Sequence, residues 1–172
     1  MRHQKTYLHI YTGDGKGKTT AAIGLITRAA AANLRCALIQ FLKDGTSSEV
    51  SLLKTIGVQC CHFGSRHRIK QQMTDSVKND IIEGLEFAKE KLISGDFDVI
   101  VLDEFNCIAH LNIVDCEWVK SVVKQKHQST ELIMTGRNAP LWLIEMGDVV
   151  TVMEMKKHYY LNNVDARHGI EY

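Results

Sequence analysis

The residues best suited to chemistry are Thr12-Gly13-Asp14-Gly15-Lys16-Gly17-Lys18-Thr19-Thr20. Gly13, Gly15 and Gly17 lack the Cβ that disfavours positive φ, so the main chain can turn successive N–H groups toward one anion. Lys18 adds a cation, and Thr19 adds a hydroxyl of the kind that ligates Mg²⁺ beside a phosphate chain. The spacing meets G-x-x-x-x-G-K-[ST] except at its first position, where Thr12 stands and Gly13 follows to supply the tight turn. That is chemistry for gripping a nucleoside triphosphate. Gly13, Asp14, Gly15, Lys16, Gly17, Lys18, Thr19 and Thr20 form the expected nucleotide-binding run, and a helix N-terminus behind them adds partial positive charge. A ligand-free glycine turn is the bland alternative. Gly-Lys-Thr-Thr after spaced glycines, at a strand–helix junction, is hard to reach by accident.

A second constellation is Asp103-Glu104, which closes the apolar run Val99-Ile100-Val101-Leu102. The carboxyl end of a buried strand is where open α/β sheets bind ligands, and where proteins with such phosphate loops hold their metal. Asp103 and Glu104 are therefore expected to meet Thr19 around one Mg²⁺. Adjacent residues diverge, so one approaches the ion directly and the other works through water or a hydrogen bond. Glu104 is the expected direct contact. A solvated acid pair at a strand end is the alternative. The two motifs together specify a nucleoside triphosphate with magnesium and leave the reaction open.

For these groups to meet, the strands that carry them must lie in one sheet. β-branched and aromatic residues at 7–12 predict a first strand, and the Ala/Ile/Leu-rich stretch 19–32 predicts a helix. Short apolar runs at 35–41, 58–63, 97–102, 130–135 and 148–153 predict further strands. Residues 43–48 read as a polar loop. Helices are expected at 49–56, ended by Gly57, at 74–94, closed by Gly95, and at 115–126. Pro140 starts a short helix through 146, and 158–172 reads as irregular. Alternating strands and helices predict an α/β chain, a three-layer P-loop NTPase (RecA-like) fold with a mostly parallel central sheet. Residues 1–172 are expected to form a single nucleotide-binding domain.

Composition narrows the class. The chain has 172 residues, 45% of them hydrophobic and 24% charged, as soluble globular proteins do. Lys and Arg total 21 against 20 for Asp and Glu, a formal net charge of +1. A protein built to hold a nucleic-acid backbone is usually far more basic, so no nucleic-acid partner is expected. No apolar stretch reaches the roughly 20 residues of a membrane crossing. No signal-peptide core follows the N-terminal charges, which makes the cytoplasm the expected compartment. Cys36, Cys60, Cys61, Cys107 and Cys116 contain no C-x-x-C pair. Buried thiols are expected of them rather than zinc ligands or disulfides.

Further motifs are Gln40-Phe41-Leu42-Lys43, Leu102-Asp103-Glu104, Thr135-Gly136-Arg137-Asn138-Ala139-Pro140, Leu143-Ile144-Glu145, Asp148-Val149-Val150-Thr151, Lys157-His158 and Gly169-Ile170-Glu171-Tyr172. With the phosphate loop, this series resembles the corrinoid adenosyltransferases of the ATP:cob(I)alamin type, from about Tyr7 to Tyr172. The resemblance implies transfer of the 5′-deoxyadenosyl group of ATP to the cobalt(I) of a reduced corrinoid, with release of triphosphate. It implies Mg²⁺ with ATP as co-substrate. It also implies an electron donor (a reductase, reduced flavin or ferredoxin) and a possible homodimer. Lys18 and Arg137 become the expected catalytic residues. Arg137 matches the family's Thr-Gly-Arg arginine as a phosphate clamp, with a surface ion pair as the alternative. Arg28 also matches, and a structural ion pair is an equal reading. Lys157 and His158 are expected either to touch phosphate or corrinoid or to form a solvated loop pair.

Three departures touch the corrinoid side. The family carries an extension before its first strand that caps the site in some members, so a cap here is expected from elsewhere or not at all. Gly64-Ser65-Arg66-His67-Arg68-Ile69 stands where the family reads Gly-Phe-Thr-Trp, aromatics that help displace the corrinoid's lower axial base. Arg66 and Arg68 are then either contacts for corrinoid amide or phosphate groups or a solvated basic loop. Val152 replaces a glutamate. A P-loop nucleoside kinase-like enzyme and a non-catalytic ATP/corrinoid sensor or carrier are the competing readings.

Overall fold

A computed structural model of the protein describes residues 5–64 and 73–171. Six strands form one sheet: β1 (Leu8–Thr12), β2 (Cys36–Lys43), β3 (Gln59–Gly64), β4 (Val99–Asp103), β5 (Glu131–Thr135) and β6 (Val149–Val152). They lie in the order β3-β2-β4-β5-β1-β6, and every neighbouring pair is parallel. Six helices connect them: α1 (Lys18–Ala31), α2 (Ser48–Thr55), α3 (Asp75–Ser94), α4 (Phe105–His110), α5 (Cys116–Gln125) and α6 (Leu141–Met146). None of the described helices is long and apolar enough to cross a membrane.

The three layers follow from strand alternation, since successive side chains leave a strand on opposite faces. On one face, Cys36, Leu38, Val99, Val101 and Ile133 pack under α1 and α2 with Ala22, Ile26, Ala29 and Leu53. On the other, Ile39, Phe41, Ile100, Leu102, Leu132 and Met134 pack under α3 to α6. Each fully buried Ile or Leu contributes about 1.5–3 kcal/mol. The central strands are buried on both faces, which is why the sequence shows them as nearly unbroken apolar runs.

Local chemistry sets the helix ends. The Thr74 hydroxyl accepts from the Val77 N–H at the start of α3, and Gly95 closes that helix at φ +76°. The Asp115 carboxylate accepts from the Glu117 and Trp118 N–H groups at the start of α5. Two expectations change. The predicted loop from Lys43 begins too early, because β2 runs on through a register shift between Phe41 and Lys43. A short helix also follows Glu104 directly. The tail stays largely irregular, with one 3-10 turn at Tyr159–Asn162. Cys36 and Cys107 are buried as expected, whereas Cys60, Cys61 and Cys116 are only half-buried.

Candidate active site

The phosphate loop occupies residues 13–17, between the carboxyl end of β1 and the first turn of α1. Gly13 and Gly17 stand at φ +96° and +114°, where a side chain is strained. Gly13 and Gly15 also lie against the chain after β6: a Cβ would fall 2.5 Å and 2.7 Å from the Met153 carbonyl oxygen. The Gly15 N–H donates to that oxygen at 2.7 Å. Gly13 thus serves close approach of the chain after β6 as well as loop conformation, and Gly15 serves the close approach. Thr12 ends β1, buried, and its hydroxyl accepts from the Ala139 N–H at 3.1 Å. The position that departs from the motif is therefore a strand residue outside the turn.

Lys18 is buried, and its Nζ donates to the carbonyl oxygens of Gly13 and Gly15, both at 2.7 Å. Burial foremost, and then the Arg137 charge, pull its pKa down. Arg137 is exposed in the turn after β5, on the Lys18 side of the site. Asp14 and Lys16 are exposed on the loop. Lys16 donates to the Tyr159 hydroxyl at 2.8 Å and to the Glu171 carboxylate at 2.7 Å. Arg167, Lys16 and Tyr159 all bond Glu171 and hold its carboxyl well below the ordinary range. The irregular tail is thereby tied across the loop.

Asp103 closes β4 with no exposed surface. Its Oδ1 accepts from the Thr19 hydroxyl at 2.8 Å and the Thr135 hydroxyl at 2.6 Å. Its Oδ2 accepts from Gln40 Nε2 at 3.1 Å and Lys43 Nζ at 2.6 Å. Burial pushes the Asp103 carboxyl up, but the Lys43 charge and these hydrogen bonds outweigh it and hold the group below the carboxylate range. Burial likewise pulls Lys43 down, and Asp103 more than restores it.

Glu104 takes the left-handed conformation at φ +60°, a strained geometry typical of functional turns. Its N–H donates to the Thr135 hydroxyl at 3.2 Å, and its Oε2 accepts from Cys107 Sγ at 2.9 Å. Burial, and then Glu104 itself, push the Cys107 thiol up, which keeps it a donor. Asn106 ties the floor together by donating to the carbonyls of Tyr11 and Gly136 at 3.0 and 3.1 Å.

Thr19, Thr20, Lys43, Glu104 and the tail residues Gly169 to Glu171 line one cavity of about 400 Å³. Thr19 and Glu104 thus share this cavity, Asp103 is bonded to Thr19 behind it, and Lys18 lies within reach of the Glu104 charge. Lys16 points instead to the tail, and Arg66 and Arg68 lie outside the described residues. Arg28 is exposed in the last turn of α1. The His158 ring caps the 3-10 turn by accepting from the Tyr160 N–H. His168 lies 3.3 Å from the Ser48 hydroxyl. Gln40, Lys43 and Thr135 stand in the sequence motifs without an assigned role, and Asn106 and Tyr159 were missed as contributors. The available signal was the lone polar Gln40 inside the otherwise apolar run of β2.

The oxygen donors here suit Mg²⁺, which takes one or two carboxylates and completes its shell with phosphate oxygens and water. Thr19 and Glu104 offer such donors on one cavity. Among the described residues no three His, Cys, Asp or Glu side chains gather to hold a metal.

The profile of the family described as ATP:corrinoid adenosyltransferase BtuR/CobO/CobP matches residues 4–172. A corrinoid adenosyltransferase of Sinorhizobium sp is 31% identical, covering 98% of this chain and 81% of the relative. The Escherichia coli K12 protein of the same name is 30% identical, covering 95% and 84%. Among solved structures, a KaiC-like protein from Pyrococcus horikoshii aligns with a TM-score of 0.56 at 13% identity, over 90% of this chain and 75% of that one. At that identity the likeness concerns the fold alone.

Proposed function

The chain belongs to the ATP:corrinoid adenosyltransferase family, and we propose that its phosphate loop holds the triphosphate of ATP as the leaving group. The enzyme is a transferase that moves an adenosyl group to a corrinoid. In the step we infer, the electron pair of cobalt(I) in the substrate attacks the ribose 5′ carbon. A cobalt–carbon bond forms, the carbon–oxygen bond to the triphosphate breaks, and the bond pair leaves with that oxygen. Cobalt(I) is a strong nucleophile, so no side chain needs to act as general base.

The chain's work is then to hold charge where it accumulates. The free N–H groups of the loop, other than that of Gly15, which the Met153 carbonyl holds, and the α1 N-terminus would face the phosphates. Lys18 Nζ exchanges its two loop carbonyls for phosphate oxygens, and Arg137 closes on them from the β5 turn. Preorganised donors of this kind are worth about 3 kcal/mol each in the transition state. Thr19 and Glu104 would hold Mg²⁺, which when bound supplies positive charge to the triphosphate. Each Asp103 oxygen already accepts two hydrogen bonds. Asp103 would therefore act on Thr19 rather than on the ion, and Glu104 would be the carboxylate that holds it. Asp14 and Thr20 flank the phosphates, while the Lys16 side chain stays tied to the tail. A separate one-electron donor, a reductase, reduced flavin or ferredoxin, delivers the corrinoid as cobalt(I).

What carries this reading is the convergence of Lys18, Thr19, Asp103 and Glu104 at one sheet edge in a chain matched to the family over nearly its whole length. Anaerobic incubation with ATP, Mg²⁺ and chemically reduced cobalamin tests it. The expected result is a photolabile adenosylcobalamin spectrum. Nucleoside phosphorylation with ADP would point to the kinase reading, and tight binding without product to a sensor or carrier.

A further inference from the structure

The motif Gln40-Phe41-Leu42-Lys43 has no part in the transfer step above, yet both of its polar side chains end on the same oxygen of Asp103. Strand alternation alone would not bring them there. Gln40 pairs in register with Asp103, so those two side chains share the α1 face of the sheet. Lys43 is three residues further on and should point to the opposite face. Leu42 prevents this. It stands at φ +57°, and the register with β3 shifts between Phe41 and Lys43. Phe41 and Leu42 both pack on the α3–α6 face, and the parity of the strand is reset by one. A left-handed leucine is unfavourable, and bulges that persist beside sites re-aim side chains. Here the re-aimed group is Lys43.

We propose that Gln40 and Lys43 are positioning residues that compensate the buried Asp103 charge, so that Asp103 can hold the Thr19 hydroxyl proton and leave the Thr19 lone pairs facing the cavity. The inference rests on the reading of that cavity as the metal–nucleotide site. Lys43 lines the same cavity, but the role proposed for it runs through Asp103. The Thr135 hydroxyl shares the task by donating to the same oxygen as Thr19.

The test is a double-mutant cycle read by calorimetric ATP affinity, with Mg²⁺ and with EDTA, beside thermal unfolding. K43M strands a buried charge; it should lower the unfolding midpoint and weaken MgATP binding by about tenfold or more. Binding of metal-free ATP should hardly change, which a merely structural role would not produce. In K43M/D103N no charge is left unpaired. The new amide oxygen accepts from Thr19 and Thr135, and a flipped Gln40 amide accepts from the new N–H group. This double variant should regain MgATP affinity to within about threefold of wild type, a strongly non-additive cycle. K43R, which keeps the charge, should bind more tightly than K43M.

A K43M protein that binds MgATP like wild type overturns the proposal. So does a stable double variant that binds no better than K43M, since Lys43 would then be acting on the nucleotide itself. Should K43M not fold, the double variant decides alone: near-wild-type affinity supports the proposal, and loss of affinity in a folded protein overturns it. A wild-type chain that binds no MgATP overturns the site reading and this inference together, whereas binding without coupling overturns only the inference.

Discussion

Lys18→Ala is expected to lower kcat/KM for ATP by about 10³-fold while circular dichroism stays native. The ammonium sits on the carbonyl oxygens of Gly13 and Gly15, one short move from the phosphates those residues would surround. It is the buried cation on the loop, where low polarity strengthens its hold on developing charge. Its removal loses two hydrogen bonds, worth about 1 kcal/mol each, but also removes a desolvated charge. The fold should therefore survive. The sequence pattern makes the loop look exposed, yet Lys18 is only 8% accessible, so near-UV as well as far-UV spectra are needed to show that packing is unchanged. Retained turnover in a natively folded variant would remove Lys18 from the mechanism.

Glu104→Gln is expected to have the next largest effect, a loss of about 10²-fold in kcat/KM with the Mg²⁺ concentration for half-maximal rate raised about tenfold. The amide keeps an oxygen for the Cys107 thiol and leaves the Glu104 N–H on Thr135, so the turn should persist. What disappears is the charged oxygen ligand. Titrating Mg²⁺ at saturating ATP checks this. An unchanged metal requirement would mean that Glu104 does not touch the ion.

The layers of the fold were legible because they depend on local signals. β4 and β5 are five-residue strands built on unbroken apolar runs, residues 99–102 and 132–134, and α3 carries its own threonine cap and terminal glycine. The phosphate loop was legible because glycine and lysine spacing is itself the chemistry. What stayed hidden depends on contacts far apart in the chain. Polar Lys43 reads as loop, and only the bulge at Leu42 and an acid 60 residues away make it a strand residue. The six residues of α4 are too few for helical periodicity to show, and the strained Glu104 that begins the helix has no sequence signature. The tail lacks any period, so its ties to Lys16 through Tyr159 and Glu171 follow only from the folded chain. Gly15 differs from its expected role: it does not take a positive φ, and its N–H meets the Met153 carbonyl, a contact that no local signal announces.

The most direct test is the fate of the three phosphates in a single turnover with reduced corrinoid, followed by phosphorus NMR after quenching. If the loop holds the chain as one leaving group while the carbon end is attacked, phosphorus appears as intact inorganic triphosphate, in step with the cobalt–carbon bond. ADP with phosphate or a phosphorylated acceptor, formed before any such bond, would mean that the loop directs attack at phosphorus instead.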